Sequence, residues 1–160
     1  MTTAKSLSRK QVKELLQSLK NQFGITLKDD YLVYRNSKDR VFLLKNDQNI
    51  EKINFEFLRT DRMGLYLAEY KNGFFRPSMQ GIQFLVSEAK KQGIKPKNTL
   101  ELTKEQAQTI FQGEELQIPN LPDSSGLILT FQGKTLCFAQ AKDGKILNYI
   151  PKTFRGTTII

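Results

Sequence analysis

Two dipeptides, Asn72-Gly73 and Asp143-Gly144, constrain this fold more than any other feature of the sequence. A type I′ turn needs φ > 0 at both central residues, which Asn, Asp and Gly tolerate best, and it joins two antiparallel strands directly. The runs around these dipeptides have strand composition: "GLYLAEYKNGFF" around the first, "GKTLCFAQA" and "GKILNYI" around the second. Upstream, "DYLVYR" and "RVFLLK" flank the turn-like cluster "NSKD", and "INFEFLRT" alternates Ile53, Phe55 and Phe57 against Asn54 and Glu56. "GLILTFQ" adds one more strand before the final pair.

Three segments carry helical period instead. In "SLSRKQVKELLQSLKNQFG", Val12, Leu15, Leu16, Leu19 and Phe23 form one apolar stripe. Ser8 with Gln11 makes a capping box, and Gly24 is the stop. Its outer face, Arg9, Lys10, Lys13 and Lys20, reads as a solvated surface. "RPSMQGIQFLVSEAKKQG" is the second helix, with Pro77 in its first turn, Gly93 at the exit and Met79, Ile82, Leu85, Val86 and Ala89 inward. "TKEQAQTIFQGEEL" is a short third helix, capped by Thr103 with Gln106 and buried through Ala107, Ile110 and Phe111. The order is α-β-β-β-β-α, then β-α-β-β-β, with a break around Gly93 to Asn98. The expected class is α+β, with domains over 1–95 and 96–160, the second a small mixed barrel or sandwich.

Several chemistries are excluded by residue type. There is no histidine, which removes imidazole acid–base catalysis and every Ser-His or Cys-His pair. The single cysteine, Cys137, lies in a strand run and reads as a small buried hydrophobe. The acids, such as Glu101, Glu105, Glu114 and Glu115, read mostly as solvated helix or loop positions, with Glu101 where the linker "IKPKNTLEL" runs into a strand, and no phosphate-cradling glycine motif follows a strand. A non-catalytic chain without cofactor or metal is expected. With 160 residues, 39% of them hydrophobic, it can build a core without disulfides. "MTTAKSLSRKQ" has no apolar signal region, and no apolar run reaches spanning length, so the expectation is a soluble, cytoplasmic protein.

The net charge of +9 favours a polyanionic partner. The charge is segregated. Met1 to Lys20 and Lys134 to Arg155 each hold five bases and one acid, Glu88 to Lys97 four bases and one acid, whereas Glu101 to Asp123 holds one base and five acids. Bases near Tyr149, Phe154, Phe74 and Phe75 can combine phosphate contact with base stacking, although each aromatic equally suits core packing.

The ordered set "ELTKEQAQTIFQGEELQIP", "FQGKTLCFAQA" and "LNYIPKTFRG" resembles the C-terminal domain of bacterial Sun-family RNA cytosine-C5 methyltransferases. That domain is PUA-like. "MGLYLAEYKNGFFRPSMQGIQFL" resembles the segment that precedes it in the family, and together the resemblance covers roughly Leu58 to Gly156. The family closes in the style "LKNHYPKGLR". Asn148, Pro151, Lys152 and Arg155 match that pattern, while Leu147, Thr153 and Phe154 depart from it. The two-domain layout is also similar to that of ribosome-biogenesis factors that pair a pre-PUA with a PUA domain.

The resemblance implies an N-terminal α/β pre-PUA-like domain, a mixed β-barrel PUA-like domain, and binding of ribosomal or transfer RNA during RNA modification or ribosome biogenesis. It carries over neither the Rossmann domain nor the paired cysteines of the methyltransferases. Lys152, Arg155, Lys145 and Lys134 are the expected phosphate contacts, Asn148 and Tyr149 the base or sugar contacts, and Arg59, Arg62, Lys71 and Arg76 an extension of the surface. Two alternatives stand beside it. One is an adaptor for a separate RNA methyltransferase or pre-ribosomal complex. The other is DNA binding, which the charge alone fits equally well.

Overall fold

The computed structural model describes residues 4–28, 30–46, 64–147, 150–152 and 155–156. The strand expected over "INFEFLRT" lies outside them. The chain divides into two compact units, Met1–Lys95 and Pro96–Ile160. Among the described residues there are two five-stranded sheets and three helices, an α+β architecture.

The N-terminal unit runs β1 (Lys5–Ser6), α1 (Arg9–Phe23), β2 (Tyr31–Arg35), β3 (Arg40–Lys45), β4 (Leu65–Lys71), β5 (Phe74–Pro77) and α2 (Met79–Lys91). Its sheet follows chain order, β1-β2-β3-β4-β5, and every pairing is antiparallel. Local chemistry explains the joints. Asn72 and Gly73 take φ of 53° and 76°, as a tight hairpin between β4 and β5 requires. In the β2–β3 turn, the Asn36 side-chain oxygen accepts from the N–H groups of Lys38 at 3.0 Å and Arg40 at 3.1 Å. The capping box of α1 is formed in both directions, Gln11 N–H to Ser8 Oγ at 3.2 Å and Ser8 N–H to Gln11 Oε1 at 2.9 Å.

Leu15, Leu19 and Phe23 are fully buried, while Val12 and Leu16 sit at the margin of the stripe. α1 also covers the outer edge of the sheet. The Gln22 amide donates to Phe75 O at 2.7 Å and accepts from Phe75 N–H at 2.9 Å, standing in for a neighbouring strand. α2 starts two residues later than its sequence pattern indicated. Pro77 closes the edge strand β5 opposite Ala68, and Ser78 caps the helix by accepting from Gly81 N–H at 2.9 Å. A proline fits that edge because its missing N–H leaves no gap in the ladder. Gly81 then brings α2 against β4: a Cβ at this position would stand 1.9 Å from Leu67 O.

The C-terminal unit runs β6 (Thr99–Glu101), α3 (Lys104–Phe111), β7 (Leu116–Gln117), β8 (Ser124–Phe131), β9 (Lys134–Lys142) and β10 (Lys145–Leu147). The sheet order is β6-β8-β9-β10-β7. β6 lies parallel to β8 and the other pairs are antiparallel, so the sheet is mixed, as expected. Parallel pairing needs a long crossover, and α3 lies within it. Both hairpin turns are tight: Gln132 and Gly133 take φ of 49° and 72°, Asp143 and Gly144 take 53° and 74°. The core gathers Leu102, Ala107, Ile110, Ile128, Leu129, Phe138 and Ile146, all nearly inaccessible to solvent. The two-residue strands β1 and β7 are not marked by any periodic pattern in the sequence.

Candidate nucleic-acid interface

The residues singled out from the sequence fall in several separate places. Lys134 opens β9 and Lys145 opens β10, both exposed. β9 runs from Lys134 to Lys142, and Lys145 sits opposite Lys142. At about 3.4 Å per residue the two ends of β9 are roughly 27 Å apart. Lys134 and Lys145 therefore serve opposite ends of the sheet and cannot hold one phosphate.

At the far end of β9 the backbone assembles a cluster of its own. Lys145 pairs with Lys142 on one side and with Gln117 of β7 on the other. A two-residue turn places its flanking residues directly opposite each other, so "KDGK" puts two ammonium-bearing stems side by side. Among the described residues, neither lysine forms an ion pair. Like charges in that position repel by a few tenths of a kcal/mol or more (about 0.2–1), which a bound anion would relieve.

The loop after β7 is tied to this turn. Ile118 N–H donates to Gly144 O at 2.8 Å, and Asp143 N–H to the Asp123 carboxylate at 2.9 Å. A cavity of about 390 Å³ opens there, lined by Gln117, Ile118, Asn120, Asp143, Gly144 and Lys145. A second, of about 320 Å³, is lined by Asp123, Ser124, Ser125, Gln140 and Lys142. Lys142 and Gln117 were not singled out from the sequence. The symmetry of two lysines about Asp143-Gly144 was the signal for the first, and the two-residue β7 gave none for the second.

Lys152 is exposed, and its carbonyl accepts from Arg155 N–H at 3.3 Å. Arg155 is used within the fold. Its Nε donates to Ile150 O at 3.2 Å, its Cδ lies where a Cβ on Gly113 would come to 3.0 Å, and the next N–H, of Gly156, donates to Phe111 O at 2.8 Å. Arg155 and Gly156 are thus fastened over the C-terminus of α3. Asn148 and Tyr149 lie outside the described residues, as does Phe154.

In the N-terminal unit, Lys71 and Arg76 are exposed on the β4–β5 hairpin, Lys71 opposite Phe74 and Arg76 opposite Glu69. Arg59 and Arg62 lie outside the described residues. Phe75 is fully buried and packs against Tyr70 with ring centroids 4.6 Å apart and planes tilted by 36°, so it is core; Phe74 is half-buried.

The single thiol of the chain is buried and unreactive. Cys137 is 4% exposed, and burial pushes its thiol up to about 12, so it is protonated at neutral pH. Among the described residues, no cluster of acidic or thiol groups fits a metal, and no helix is long and apolar enough to cross a membrane.

Residues 97–156 match the family described as Methyltransferase RsmF PUA domain. That segment holds β6 to β10 and the fastened Arg155 and Gly156, so the C-terminal unit resembles a PUA domain of the Sun-type methyltransferases. Over 148 residues, 91% of the chain, it is 26% identical to the ribosomal RNA small subunit methyltransferase F of Shewanella piezotolerans. The ribosomal RNA small subunit methyltransferase F of Shewanella sp. strain ANA-3 is also 26% identical, over 147 residues. The chain spans 28% and 30% of the length of these two relatives.

Proposed function

We propose that this chain is an RNA-binding element acting in ribosomal RNA modification or ribosome biogenesis, and that it binds without catalysing. The observation that carries the reading is the PUA match over residues 97–156, the region that contains the paired Lys142 and Lys145. In this reading the two lysines, Lys152 and the guanidinium of exposed Arg155 neutralise phosphates. Gln117 and Asn120 offer hydrogen bonds beside them, and Lys134 meets a more distant part of the same strand. Lys71 and Arg76 extend contact from an N-terminal unit of pre-PUA type. Asn148, Tyr149, Arg59 and Arg62 remain candidate contacts on the sequence argument alone.

Ribosomal rather than transfer RNA is favoured because the relatives carry ribosomal RNA in their names. The methyl transfer in those names is not extended to this chain, since the match covers under a third of each relative, and a buried, protonated Cys137 is no nucleophile. A methyltransferase domain or a ribosome-assembly protein is the partner that such an element would serve, in the cytoplasm.

The test is filter binding of a small-subunit ribosomal RNA hairpin and of duplex DNA of equal length across a salt series. The expected result is tighter binding of the RNA. A Lys142→Gln, Lys145→Gln double variant should flatten the log–log salt dependence by about 1.5 units, at 0.7–0.9 per phosphate contact. Equal affinity for the two nucleic acids would sink RNA recognition, and an unchanged slope in the variant would remove this turn from the interface.

A further inference from the structure

The positive charge is not where the PUA match is. Residues 1–95 hold 18 bases and 10 acids, and residues 96–160 hold 7 and 6, so the net charge is +8 in the first unit and +1 in the second. We propose that the corner of the N-terminal unit formed by β1 and the first two turns of α1 is a docking surface for the phosphate backbone of RNA. The proposal rests on the RNA-binding reading above and adds a stronger electrostatic anchor to the few lysines of a C-terminal unit whose charges nearly balance.

Lys5, Arg9, Lys10 and Lys13 are all exposed and fall within nine residues of sequence. Arg9 and Lys13 stand one turn apart on the same helix face. A helix start carries partial positive charge and favours acids, yet the first turn of α1 has none and begins with Arg9 and Lys10. The arrangement is electrostatically unfavourable in the isolated chain and favourable once an anion occupies it. The only acid on these turns is Glu14, four residues after Lys10.

Two cavities open on either side of the Ser6–Leu7 segment. One, of about 460 Å³, is lined by Arg9, Val12, Lys13, Asp30, Tyr31 and Asn46. Among the described residues its single carboxylate is Asp30, which accepts from the Asn46 amide at 2.6 Å. The other, of about 410 Å³, is lined by Lys5, Gln11, Arg35, Asn36 and Ser37. Here a second, independent observation appears. Asn36 is 5% exposed, its oxygen is taken by two backbone N–H groups, and among the described residues its amide nitrogen has no hydrogen-bond partner. A buried donor without an acceptor, at a cavity rimmed by cations, suits an anionic oxygen. Arg35 in the same wall is committed to Asp39 at 2.7 Å and to Tyr70 O at 2.7 Å, and so shapes the site rather than serving it.

The experiment compares three forms of the full chain on the same ribosomal RNA hairpin across salt. The Lys5, Arg9, Lys10, Lys13→Gln variant should lose about three units of log–log salt slope and roughly tenfold or more in affinity at low salt. A control removes equal charge elsewhere on the same unit, through Lys20, Lys28, Lys90 and Lys95→Gln, all exposed. It should lose less than one unit, because charges off the contact surface act only through the screened field. The thermal midpoint should rise slightly in the corner variant, because unfavourable charge leaves a helix start, and stay level in the control, whose changed residues are exposed; amide chemical shifts of Lys5 to Lys13 in the unmutated chain should move on adding RNA. If the two variants lose slope equally, or the shifts stay still, the corner is not a docking surface although RNA binding stands. If the parent does not bind the hairpin at all, the underlying reading fails and takes this one with it.

Discussion

The two units use β-structure to different ends. The N-terminal sheet is an antiparallel meander in chain order, whereas the C-terminal sheet is mixed and reached through a crossover. The first carries a net charge of +8 and the second +1, yet the family match lies in the second. Fold likeness and electrostatic attraction are thus separable properties, here assigned to different parts of one chain. A fold fixes where a few groups can be placed, whereas net charge sets how strongly and how fast any polyanion is drawn in. On this view the C-terminal unit contributes geometry and the N-terminal unit contributes field.

The largest effect that would test their independence is expected from Gly81→Ala. The added methyl would meet Leu67 O at 1.9 Å, and that atom belongs to backbone which cannot turn aside. α2 would have to withdraw from β4, at a cost of about 3 kcal/mol, the upper range for overpacking. Hydrogen exchange should show loss of protection in β4 and α2 with β8 and β9 unchanged. Equal loss in both units would mean that they unfold as one, and the comparison between them would collapse.

Gly113→Ala should come next, and in the other unit. Gly113 has φ of +85° and faces the Arg155 side chain. An L-residue there costs about 1–2 kcal/mol, and the displaced Arg155 would loosen Gly156 from α3. The expected readout is a lower unfolding midpoint for the C-terminal unit, with earlier proteolytic cleavage after Lys152. Resistance equal to the parent would show that Arg155 does not fasten this segment.

A smaller effect has opposite signs in stability and binding. Replacing Lys142 and Lys145 by Gln removes a like-charge pair across the turn and should raise stability by a few tenths of a kcal/mol (about 0.2–1). The same change should weaken RNA binding. A variant that loses stability instead would mark the two lysines as structural.

How far this was legible follows from the range of each signal. Turns and caps are local, so Asn72-Gly73, Asp143-Gly144 and the boxes at Ser8 and Thr103 could be read directly and are formed. β1 and β7 have two residues each, too few for any period. Their existence depends on partners distant in sequence. Pro77 misled because proline suits both a first helical turn and an edge strand, and only the register with Ala68 decides between them. The contact between Gly81 and Leu67 is tertiary and had no sequence signature. For the candidate site, the sequence names Lys145 and Lys134 alike as phosphate contacts, and only the nine-residue strand shows that they stand at opposite ends of the sheet. Short windows rate Met1 to Lys20 and Lys134 to Arg155 as equally basic, and only the sum over each unit shows that the surplus lies in the first 95 residues.

The smallest expected effect concerns Glu101, which ties β6 to the β8–β9 turn. Thr130 Oγ1 donates to its carboxylate, and Gly133 N–H does so at 3.3 Å. The Thr130 bond, opposed by desolvation and supported by the backbone N–H groups of Gly133 and Gln132, holds Glu101 below its ordinary value of 4.5. A carboxylate lowered in the folded state binds protons more readily when unfolded. Its contribution is therefore complete above 4.5 and lost as pH falls through the lowered folded value. Glu101→Gln should reduce stability slightly at neutral pH, and its difference from the parent should shrink through that acid window. Because Glu101 is exposed, water screens much of the effect. The measurement is the unfolding midpoint of both chains from pH 7 down to acid, followed separately in β8–β9 and in β4–α2. The convergence should appear only in the C-terminal unit. A pH-independent difference would assign the loss to packing or to the hydrogen-bond geometry of the turn rather than to the charge on Glu101.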